Sequence, residues 1–145
     1  MAETSVKLLE CVIASAGLLR IDQIGSGIGV ILYSPAKRFG AGLHVLAPLS
    51  GRAGTSRPIM YANTAIPYAL EELARRGVTP PFSVAIAGGA ALLKSQNALG
   101  SSRHMVEAVK QALAKANLSV KIEETGGTKL RSMVLDIDEG KIKVG

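Results

Sequence analysis

Two short apolar segments, IGVILY at residues 28–33 and AGLHVLAPL at residues 41–49, decide how this 145-residue chain folds. The first is rich in β-branched residues and runs into Pro35, and the second is interrupted by Pro48, so both have the features of strands bounded by turns. Only a few residues separate the two segments, which predicts a β-hairpin. Their almost uninterrupted apolar character indicates strands that are buried on both faces.

The rest of the chain adds further strands and two helices around this hairpin. Strands are predicted at residues 5–15, 18–24, 82–87, 120–123, 133–137 and 141–144. The strands come in clusters rather than in strict alternation with helices, which favours an α+β fold over a doubly wound sheet. The length fits one domain over residues 1–145.

The first helix follows the hairpin, and its ends are marked by residues with special backbone roles. Asn63 or Thr64 is the predicted N-cap, since a short side-chain oxygen reaches the free N–H groups of a first turn. Pro67 is then expected in that first turn, where a missing N–H costs least. Gly77 is predicted to end the helix in the left-handed conformation. The second helix is predicted to begin at Ser101 or Ser102.

Composition excludes several classes of protein. Hydrophobic residues make up 48% and charged residues 19% of the chain, which is typical of a folded domain. The single cysteine, Cys11, excludes a disulfide scaffold. We find no apolar run of about 20 residues and no signal-peptide pattern, so we expect a cytoplasmic protein without membrane insertion. The net charge is +6, but only 3% of residues are aromatic and the basic residues are scattered, which disfavours nucleic acid as a partner.

Two glycine-rich segments resemble phosphate-binding loops without completing either motif. The segment at residues 25–29 is followed by Val30, at the position where the dinucleotide fingerprint needs a glycine. A strand is also predicted next, where the fingerprint needs a helix. Residues 88–95 have Leu93 where a P-loop needs the glycine before Lys94. We therefore predict no cofactor.

A few residues can carry chemistry. His44, inside an apolar strand, is either a structural histidine or a general base. His104 is the only other histidine and no ligand cluster is visible, so no metal site is expected. Ser26, His44 and Asp22 have the residue types of a hydrolytic triad, although their spacing fixes no geometry. Cys11 fits a small buried apolar residue.

Several blocks along the chain resemble one known family. They are Gly25-Ser26-x-Ile28-x-Val30-x-x-Tyr33-x-Pro35, His44-Val45-Leu46-x-Pro48, Tyr61-Ala62-Asn63-Thr64-Ala65, Ile86-Ala87-Gly88-Gly89-Ala90, Gly100-x-x-Arg103-x-x-x-Glu107-Ala108-Val109 and Thr125-Gly126-Gly127-x-x-x-Arg131-Ser132. These blocks cover most of the chain, and their order is similar to that of the CheD family of chemoreceptor glutamine deamidases.

The resemblance implies a fold, a reaction and partners. The fold would be a single domain of packed mixed β-sheets flanked by two main helices, similar to the catalytic domain of cytotoxic necrotising factor. A cysteine thiolate would attack a receptor glutamine amide, a histidine would activate that cysteine, and water would release glutamate after ammonia had left. The implied partners are cytoplasmic helices of chemoreceptors and a CheC-like phosphatase. The motif blocks imply binding roles for Arg103, Gly88, Gly89, Gly126 and Gly127.

The sequence departs from the family pattern at the residues that would react. The resemblance places Gly27 at the position of the nucleophilic cysteine and Ile21 at the position of the family's threonine, while His44 is retained as the general base. His104 stands where an asparagine usually follows the arginine of the second helix. We therefore expect a chemotaxis protein that binds receptor helices, a CheC-like phosphatase, or both, without deamidase turnover.

Two alternatives stay open at this point. One is an active deamidase family member whose cysteine was replaced in this particular polypeptide. The weaker one is a hydrolase that uses Ser26 and His44. Neighbouring residues of a strand point to opposite faces, so Ser26 could substitute at position 27 only if the turn redirects its side chain. Cys11 could substitute as the nucleophile only if another strand brought it to the position of residue 27.

Overall fold

The strands of the chain form two sheets. The computed structural model describes residues 2–48, 57–92 and 101–145, and the predicted strand end at residue 49 and the Leu93–Lys94 pair lie outside these ranges. Nine strands occur in the described ranges: β1 Glu3–Val6, β2 Cys11–Ala14, β3 Leu18–Ile24, β4 Ile28–Ser34, β5 Phe39–Val45, β6 Ser83–Gly88, β7 Val120–Thr125, β8 Arg131–Asp136 and β9 Lys141–Val144. The helices there are α1 Ala62–Arg75 and α2 Ser101–Lys115, with a 3-10 turn at Pro58–Met60.

Both sheets are mixed. The first has the strand order β1-β3-β8-β9 and the second the order β2-β5-β4-β6-β7. The predicted hairpin is confirmed as β4 and β5, which pair antiparallel from Ile28 opposite Val45 to Ser34 opposite Phe39. Two parallel pairs, β1 with β3 and β6 with β7, join otherwise antiparallel neighbours. The α+β prediction with mixed sheets and two helices is therefore confirmed.

The hairpin lies at the centre of three layers. Val30 and Leu32 of β4 pack in the cluster that contains the buried residues of both helices. Ile31 and Tyr33 of the same strand pack in a second cluster with residues of the first sheet. Because successive side chains of a strand point to opposite faces, β4 is buried on both sides, as its sequence predicts.

Glycines let the two sheets approach closely. A Cβ atom on Gly42 would lie 2.8 Å from Cγ2 of Val6 and 3.2 Å from Cδ2 of Leu19, and both of those side chains belong to the first sheet. A Cβ atom on Gly29 would lie 3.0 Å from the sulfur of Met133. The central strands thus have glycines, which lack a side chain, at the positions where larger side chains of the opposite sheet pack.

The predicted strand at 5–15 is wrong as a single element. The structure divides it into β1 and β2, which belong to different sheets. Between them the chain turns at residues 7–10, where the Glu10 carboxylate accepts the N–H of Lys7 at 2.8 Å and the Lys7 carbonyl accepts the N–H of Glu10 at 3.0 Å. Leu9 takes a left-handed φ of 69°. A single carboxylate that closes a tight turn therefore overrides the strand preference of the apolar residues around it.

The N-terminal prediction for the first helix is also wrong. Helix α1 begins at Ala62 with Tyr61 as N-cap, and no side chain caps it. The hydroxyl of Thr64 instead donates to backbone carbonyls of Pro58 and Tyr61. Pro67 is the sixth helical residue and so lies beyond the first turn.

The C-terminal prediction for this helix is confirmed. Gly77 has a φ of 76°, and its N–H donates to the Ala74 carbonyl at 2.9 Å. The N–H of Val78 donates to the Leu73 carbonyl, also at 2.9 Å, which completes a Schellman motif. Neither α1 nor α2 is long and apolar enough to cross a membrane, and the described ranges hold no other helix that is.

Candidate functional site

A cavity of about 550 Å³ opens at one end of the two-sheet stack. Its walls come from the end of β1, the bend between β3 and β4 and the end of β5, together with Leu92 and Leu130. It contains Asp22, Ser26, Gly27 and His44, which are four of the residues singled out from the sequence. Strands from both sheets are thus needed to form it.

His44 points into this cavity because of the alternation along β5. Its neighbours Leu43 and Val45 face the helices, so His44 faces the first sheet. The side chain is 6% exposed, and burial lowers the pKa of the imidazole below its ordinary value. The imidazole is therefore neutral at pH 7. The turn at 7–10 fixes its backbone, since the His44 carbonyl accepts the N–H of Leu9 at 2.9 Å.

The two imidazole nitrogens have different surroundings. Nδ1 is buried and has no hydrogen-bond partner in the described structure. Ile21 is fully buried in the cluster of the first sheet, and its Cγ2 would lie 3.4 Å from a Cβ atom built on Gly29, the β-sheet partner of His44. An isoleucine side chain has neither donor nor acceptor, so it offers Nδ1 nothing. A buried polar atom without a partner is uncommon in native structures and calls for an explanation.

Gly27 lies on the other side of the imidazole. A Cβ atom built on Gly27 would lie 3.7 Å from Nε2 of His44 and 2.5 Å from the carbonyl oxygen of Val45. The fold thus brings positions 27 and 44 together, with no side chain between the Gly27 backbone and Nε2. Glycine supplies no atom that could attack a substrate.

Ser26 and Asp22 share the cavity with His44, but they do not form a relay. Ser26 lies in the bend before β4 and not in a strand, so its side chain is not turned away from the cavity. The Asp22 carboxylate pairs with Arg20 at 3.2 Å. Among the described residues, no hydrogen bond joins Ser26, His44 and Asp22.

Cys11 lies on the opposite face of the second sheet from His44. It pairs with Leu43 in the β-sheet and packs against the helix-side cluster. It lines a different cavity, of about 530 Å³, together with Tyr68. Burial, and secondarily the charge of Glu72, raises the pKa of the thiol to about 11. The structure therefore does not bring Cys11 to the imidazole.

The four glycines with predicted binding roles belong to a backbone network behind the cavity. The Gly27 carbonyl accepts the N–H of Gly89 at 2.9 Å, and the Gly88 carbonyl accepts the N–H of Gly126 at 2.9 Å. A Cβ atom on Gly88 would collide with the Gly27 carbonyl oxygen. The Gly127 carbonyl accepts the N–H of Ala91 at 2.9 Å. In the structure these glycines hold the bend that carries Gly27.

Arg131 stabilises this network through hydrogen bonds. The sequence analysis did not predict it to be a site residue. Its guanidinium donates to the Gly126 carbonyl at 2.6 Å and to the Gly88 carbonyl at 3.4 Å. The available signal was its position in the Thr125–Ser132 motif block. Arg103, which was singled out, is exposed on α2 and is absent from the cavity lining. No cluster of three or more His, Cys, Asp or Glu side chains that could hold a metal ion occurs among the described residues.

Comparison with known proteins gives consistent matches. A family model described as CheD chemotactic sensory transduction matches residues 47–145. A probable chemoreceptor glutamine deamidase CheD of Methanococcus vannielii is 36% identical over 83% of this chain and 80% of its own length. The chemoreceptor glutamine deamidase CheD of Thermotoga maritima is 34% identical over 92% of this chain and 84% of its own length. A probable chemoreceptor glutamine deamidase CheD of Desulforamulus reducens is 32% identical over 92% and 83%.

Proposed function

Since this chain belongs to the CheD family of chemotaxis proteins, we propose that it binds chemoreceptor helices at the His44 cavity and leaves their glutamines unchanged. Its relatives carry the name of chemoreceptor glutamine deamidase, which supports the choice of receptor as partner. Because that partner would be the cytoplasmic part of a receptor, the proposal also places the chain in the cytoplasm.

The observation that carries the proposal is the absence of a side chain at residue 27, beside Nε2 of His44. Amide hydrolysis through a covalent intermediate needs a nucleophile within hydrogen-bond reach of its base. A Cβ atom on residue 27 would lie 3.7 Å from Nε2, but residue 27 is glycine and carries no nucleophile. Binding does not require that atom, since the energy of an interface comes from several side chains around it.

The surroundings of His44 support the same conclusion. A catalytic histidine usually has its second nitrogen held by an acceptor, which sets the tautomer and the ring orientation. Here Nδ1 has no such partner, and Ile21 occupies the position at which the family resemblance expects a threonine hydroxyl. The base therefore lacks both the group it would activate and the group that would orient it.

The packing around Gly27 weighs against the alternative of a deamidase that has simply lost its cysteine. A side chain at position 27 would bring its Cβ to 2.5 Å from the Val45 carbonyl, so the backbone would have to move. The local structure is therefore fitted to glycine. A single replacement in an otherwise active enzyme would therefore also require this shift of the backbone.

A hydrolase that uses Ser26 is the second candidate. The observation in its favour is that Ser26, His44 and Asp22 line one cavity. Against it, Asp22 is engaged by Arg20 and cannot orient the imidazole from that position. A serine hydroxyl is also a weak nucleophile unless a positioned base activates it. A fluorophosphonate probe tests this candidate, since labelling that disappears in Ser26→Ala would establish it.

A CheC-like phosphatase is proposed as a further partner on the strength of the family resemblance. Co-purification of the original chain with a CheC-like protein tests this partner, and the absence of a complex would overturn it.

The main experiment incubates a chemoreceptor cytoplasmic fragment with three proteins: the original chain, Gly27→Ala and the double variant Ile21→Thr/Gly27→Cys. Binding is measured by calorimetry. Deamidation is measured by peptide mapping, because conversion of the amide to an acid adds about one mass unit per site. We expect binding without deamidation by the original chain. Deamidation by the original chain would overturn the claim of lost turnover, and lack of binding would overturn the receptor assignment.

The variants separate two reasons for missing turnover. Gly27→Ala introduces the Cβ atom without a nucleophile and so reports the cost of the collision with Val45 alone. Turnover by the double variant would show that the cavity still positions a receptor glutamine correctly. Its absence, with binding intact, would mean that the rest of the cavity has also diverged from catalysis.

A further inference from the structure

Strand β2 differs from the other strands that lie at a sheet edge among the described residues. The edge strands are β1 and β9 in the first sheet and β2 and β7 in the second. Three of them contain charged side chains: Glu3 in β1, Lys121, Glu123 and Glu124 in β7, and Lys141 and Lys143 in β9. Strand β2, Cys11–Ala14, contains apolar residues alone. Charged residues usually prevent an unpaired edge from binding another strand, so β2 lacks the protection that the other edges have.

The hydrogen bonds of His44 show which backbone groups of β5 point towards β2. The His44 N–H donates to the Glu10 carbonyl at 3.2 Å, and the His44 carbonyl accepts the N–H of Leu9 at 2.9 Å. Glu10 directly precedes β2, so the backbone groups of His44 lie on the β2 side of β5. Backbone groups point alternately to the two sides along an antiparallel strand, which places those of Gly42 on the β2 side as well.

The same alternation identifies the free backbone groups of β2. Gly42 is opposite Val12, so the N–H and C=O of Val12 are those that face β5. The N–H and C=O of Cys11 and Ile13 therefore point away from β5, to the side on which β2 has no neighbouring strand in the described ranges. One short strand thus presents donors and acceptors to a further strand.

The cavity of about 530 Å³ beside Cys11 runs along this edge. Its lining includes both Cys11 and Val12, whose side chains point to opposite faces of the sheet, so the strand edge between those faces borders the cavity. Pro58 and Tyr68 also line it. Tyr68 is the one exposed large apolar side chain of the described ranges that is absent from the lining of the His44 cavity. Apolar side chains therefore flank the free backbone groups.

The charged side chains that line this cavity or act on the Cys11 thiol balance one another. Glu10 and Arg57 line the cavity, and Glu72 and Arg76 lie close enough to the thiol to affect its pKa, which makes two acidic and two basic groups. Glu72 and Arg76 are also paired with each other at 3.3 Å. The whole chain has a net charge of +6, which makes two copies repel each other. That repulsion is weakest where the local charges cancel.

We propose that β2 pairs antiparallel with β2 of a second copy of this chain, which joins the two five-stranded sheets into one continuous sheet. The free edge requires an extended, uncharged, apolar segment that has free backbone groups of its own, and β2 is itself such a segment. Pairing of identical strands is a two-fold contact that closes as a dimer and leaves no β2 edge exposed. The proposal does not depend on the receptor assignment, since it uses a different face of the second sheet.

The outward groups fix the register of this pairing. A two-fold axis at Val12 places Cys11 opposite Ile13 of the partner subunit, and these are the residues whose N–H and C=O point outward. They can therefore exchange hydrogen bonds as the closely bonded pairs of an antiparallel ladder. The two Val12 residues then face each other as a pair without hydrogen bonds, with Cα atoms about 4.5 Å apart.

Sedimentation velocity of the full chain over a range of concentrations tests the dimer. We expect the original chain to dimerise and to dissociate on dilution. Ile13→Pro removes an outward N–H but no hydrogen bond to β5, so it should be folded and monomeric. Ile13→Ala is the matched control, because it removes the same side chain and keeps the N–H, and it should still dimerise. A chain that is monomeric at every soluble concentration, or equal dimerisation of the two variants, would overturn the proposal.

Disulfide crosslinking tests the register without a proline in the strand. In a Cys11→Ser background, Val12→Cys should form a crosslinked dimer under oxidation, since a disulfide joins Cα atoms about 4.4–6.8 Å apart. Ala14→Cys in the same background is the control. It lies on the same face as Val12, but the two copies of residue 14 would be about 13 Å apart along the strands and should stay uncrosslinked. Crosslinking of both variants to the same extent, or of neither, would overturn the pairing.

Discussion

Nε2 of His44 lies 3.7 Å from the point that a Cβ atom of residue 27 would occupy, and the Gly27 backbone leaves that point empty. The Val45 carbonyl oxygen lies 2.5 Å from the same point. The fold thus places residues 27 and 44 side by side, and the Val45 backbone lies against the point at which a side chain of residue 27 would begin.

Gly27→Ala and Gly27→Cys should therefore each destabilise the protein by about 1–3 kcal/mol, because an added Cβ must displace the Val45 backbone. The cost should be similar for both, since it arises at Cβ and not at the thiol. Urea unfolding measures it, with Gly145→Ala as a control, because a Cβ atom there meets nothing within 4 Å. If both variants were as stable as the original chain, the backbones of residues 27 and 45 would be able to move apart at no cost in free energy.

His44 should titrate below the ordinary histidine value of about 6.5. Burial lowers its pKa, so the folded state takes up the proton less readily than the unfolded state. Stability should thus be independent of this group above pH 7 and should decrease as the pH falls through 6.5 towards the folded pKa.

The ring resonances of His44 in an NMR titration measure its pKa directly. His44→Gln should reduce the pH dependence of the free energy of unfolding between pH 7 and 5. The exposed His104 is present in both proteins, so its contribution cancels in the comparison. A midpoint for His44 above 6.5 would contradict the expected direction.

Arg131→Met should destabilise the protein by about 1.5–3 kcal/mol, because hydrogen bonds from a charged donor to two backbone carbonyls are lost. It should also shift the methyl resonances of Leu92 and Leu130, which follow and precede the segments that the guanidinium holds. Lys129→Met removes a neighbouring positive charge that has no ion pair in the described structure and is the matched control. Equal effects of the two substitutions would mean that charge, and not the carbonyl contacts, is responsible.

Gly42→Ala should destabilise the protein by about 1–3 kcal/mol through overpacking between the sheets. The added methyl meets Val6 at 2.8 Å and Leu19 at 3.2 Å. The double variant Gly42→Ala/Val6→Ala should recover part of the loss, because it removes the methyl group that collides. Thermal unfolding of the three proteins measures the effect, and a double variant no more stable than the sum of its single changes would argue against direct contact.

Cys11 should react slowly with thiol reagents in the folded protein, because its pKa is raised to about 11 and little thiolate is present at pH 8. The rate should rise when the protein is unfolded in urea. Glu72→Gln should increase the folded-state rate, since the Glu72 carboxylate contributes to the higher pKa. Rapid reaction in the folded state would reopen Cys11 as a chemically active group.

Local sequence patterns are enough to predict the elements whose structure depends only on residues close together in the chain. The β4–β5 hairpin, the C-terminus of α1 at Gly77 and the last hairpin at Gly140 all follow from local rules, and Gly140 has the predicted left-handed φ of 69°. The turn at 7–10 could not be predicted in this way. There a carboxylate of Glu10 competes with the strand preference of its neighbours, and the two halves enter different sheets.

The site was predictable in its parts but not in its arrangement. Family resemblance pointed to Gly27 and His44, and the structure places them side by side. Four exposed leucines line the cavity, namely Leu8, Leu46, Leu92 and Leu130. Their exposure depends on which end of a sheet each segment reaches, and no local pattern contains that information. The anchoring role of Arg131 likewise depends on carbonyls that lie 5 and 43 residues away along the chain.

The network that holds the bend at Gly27 has a consequence for the order of synthesis. Its three supporting segments lie at residues 25–27, 88–91 and 126–131, so the last of them is synthesised well after the β4–β5 hairpin. A nascent polypeptide that has not yet released residue 131 from the ribosome can form the β4–β5 hairpin but not the finished cavity. The cavity is thus completed well after the hairpin that lies at the centre of the fold.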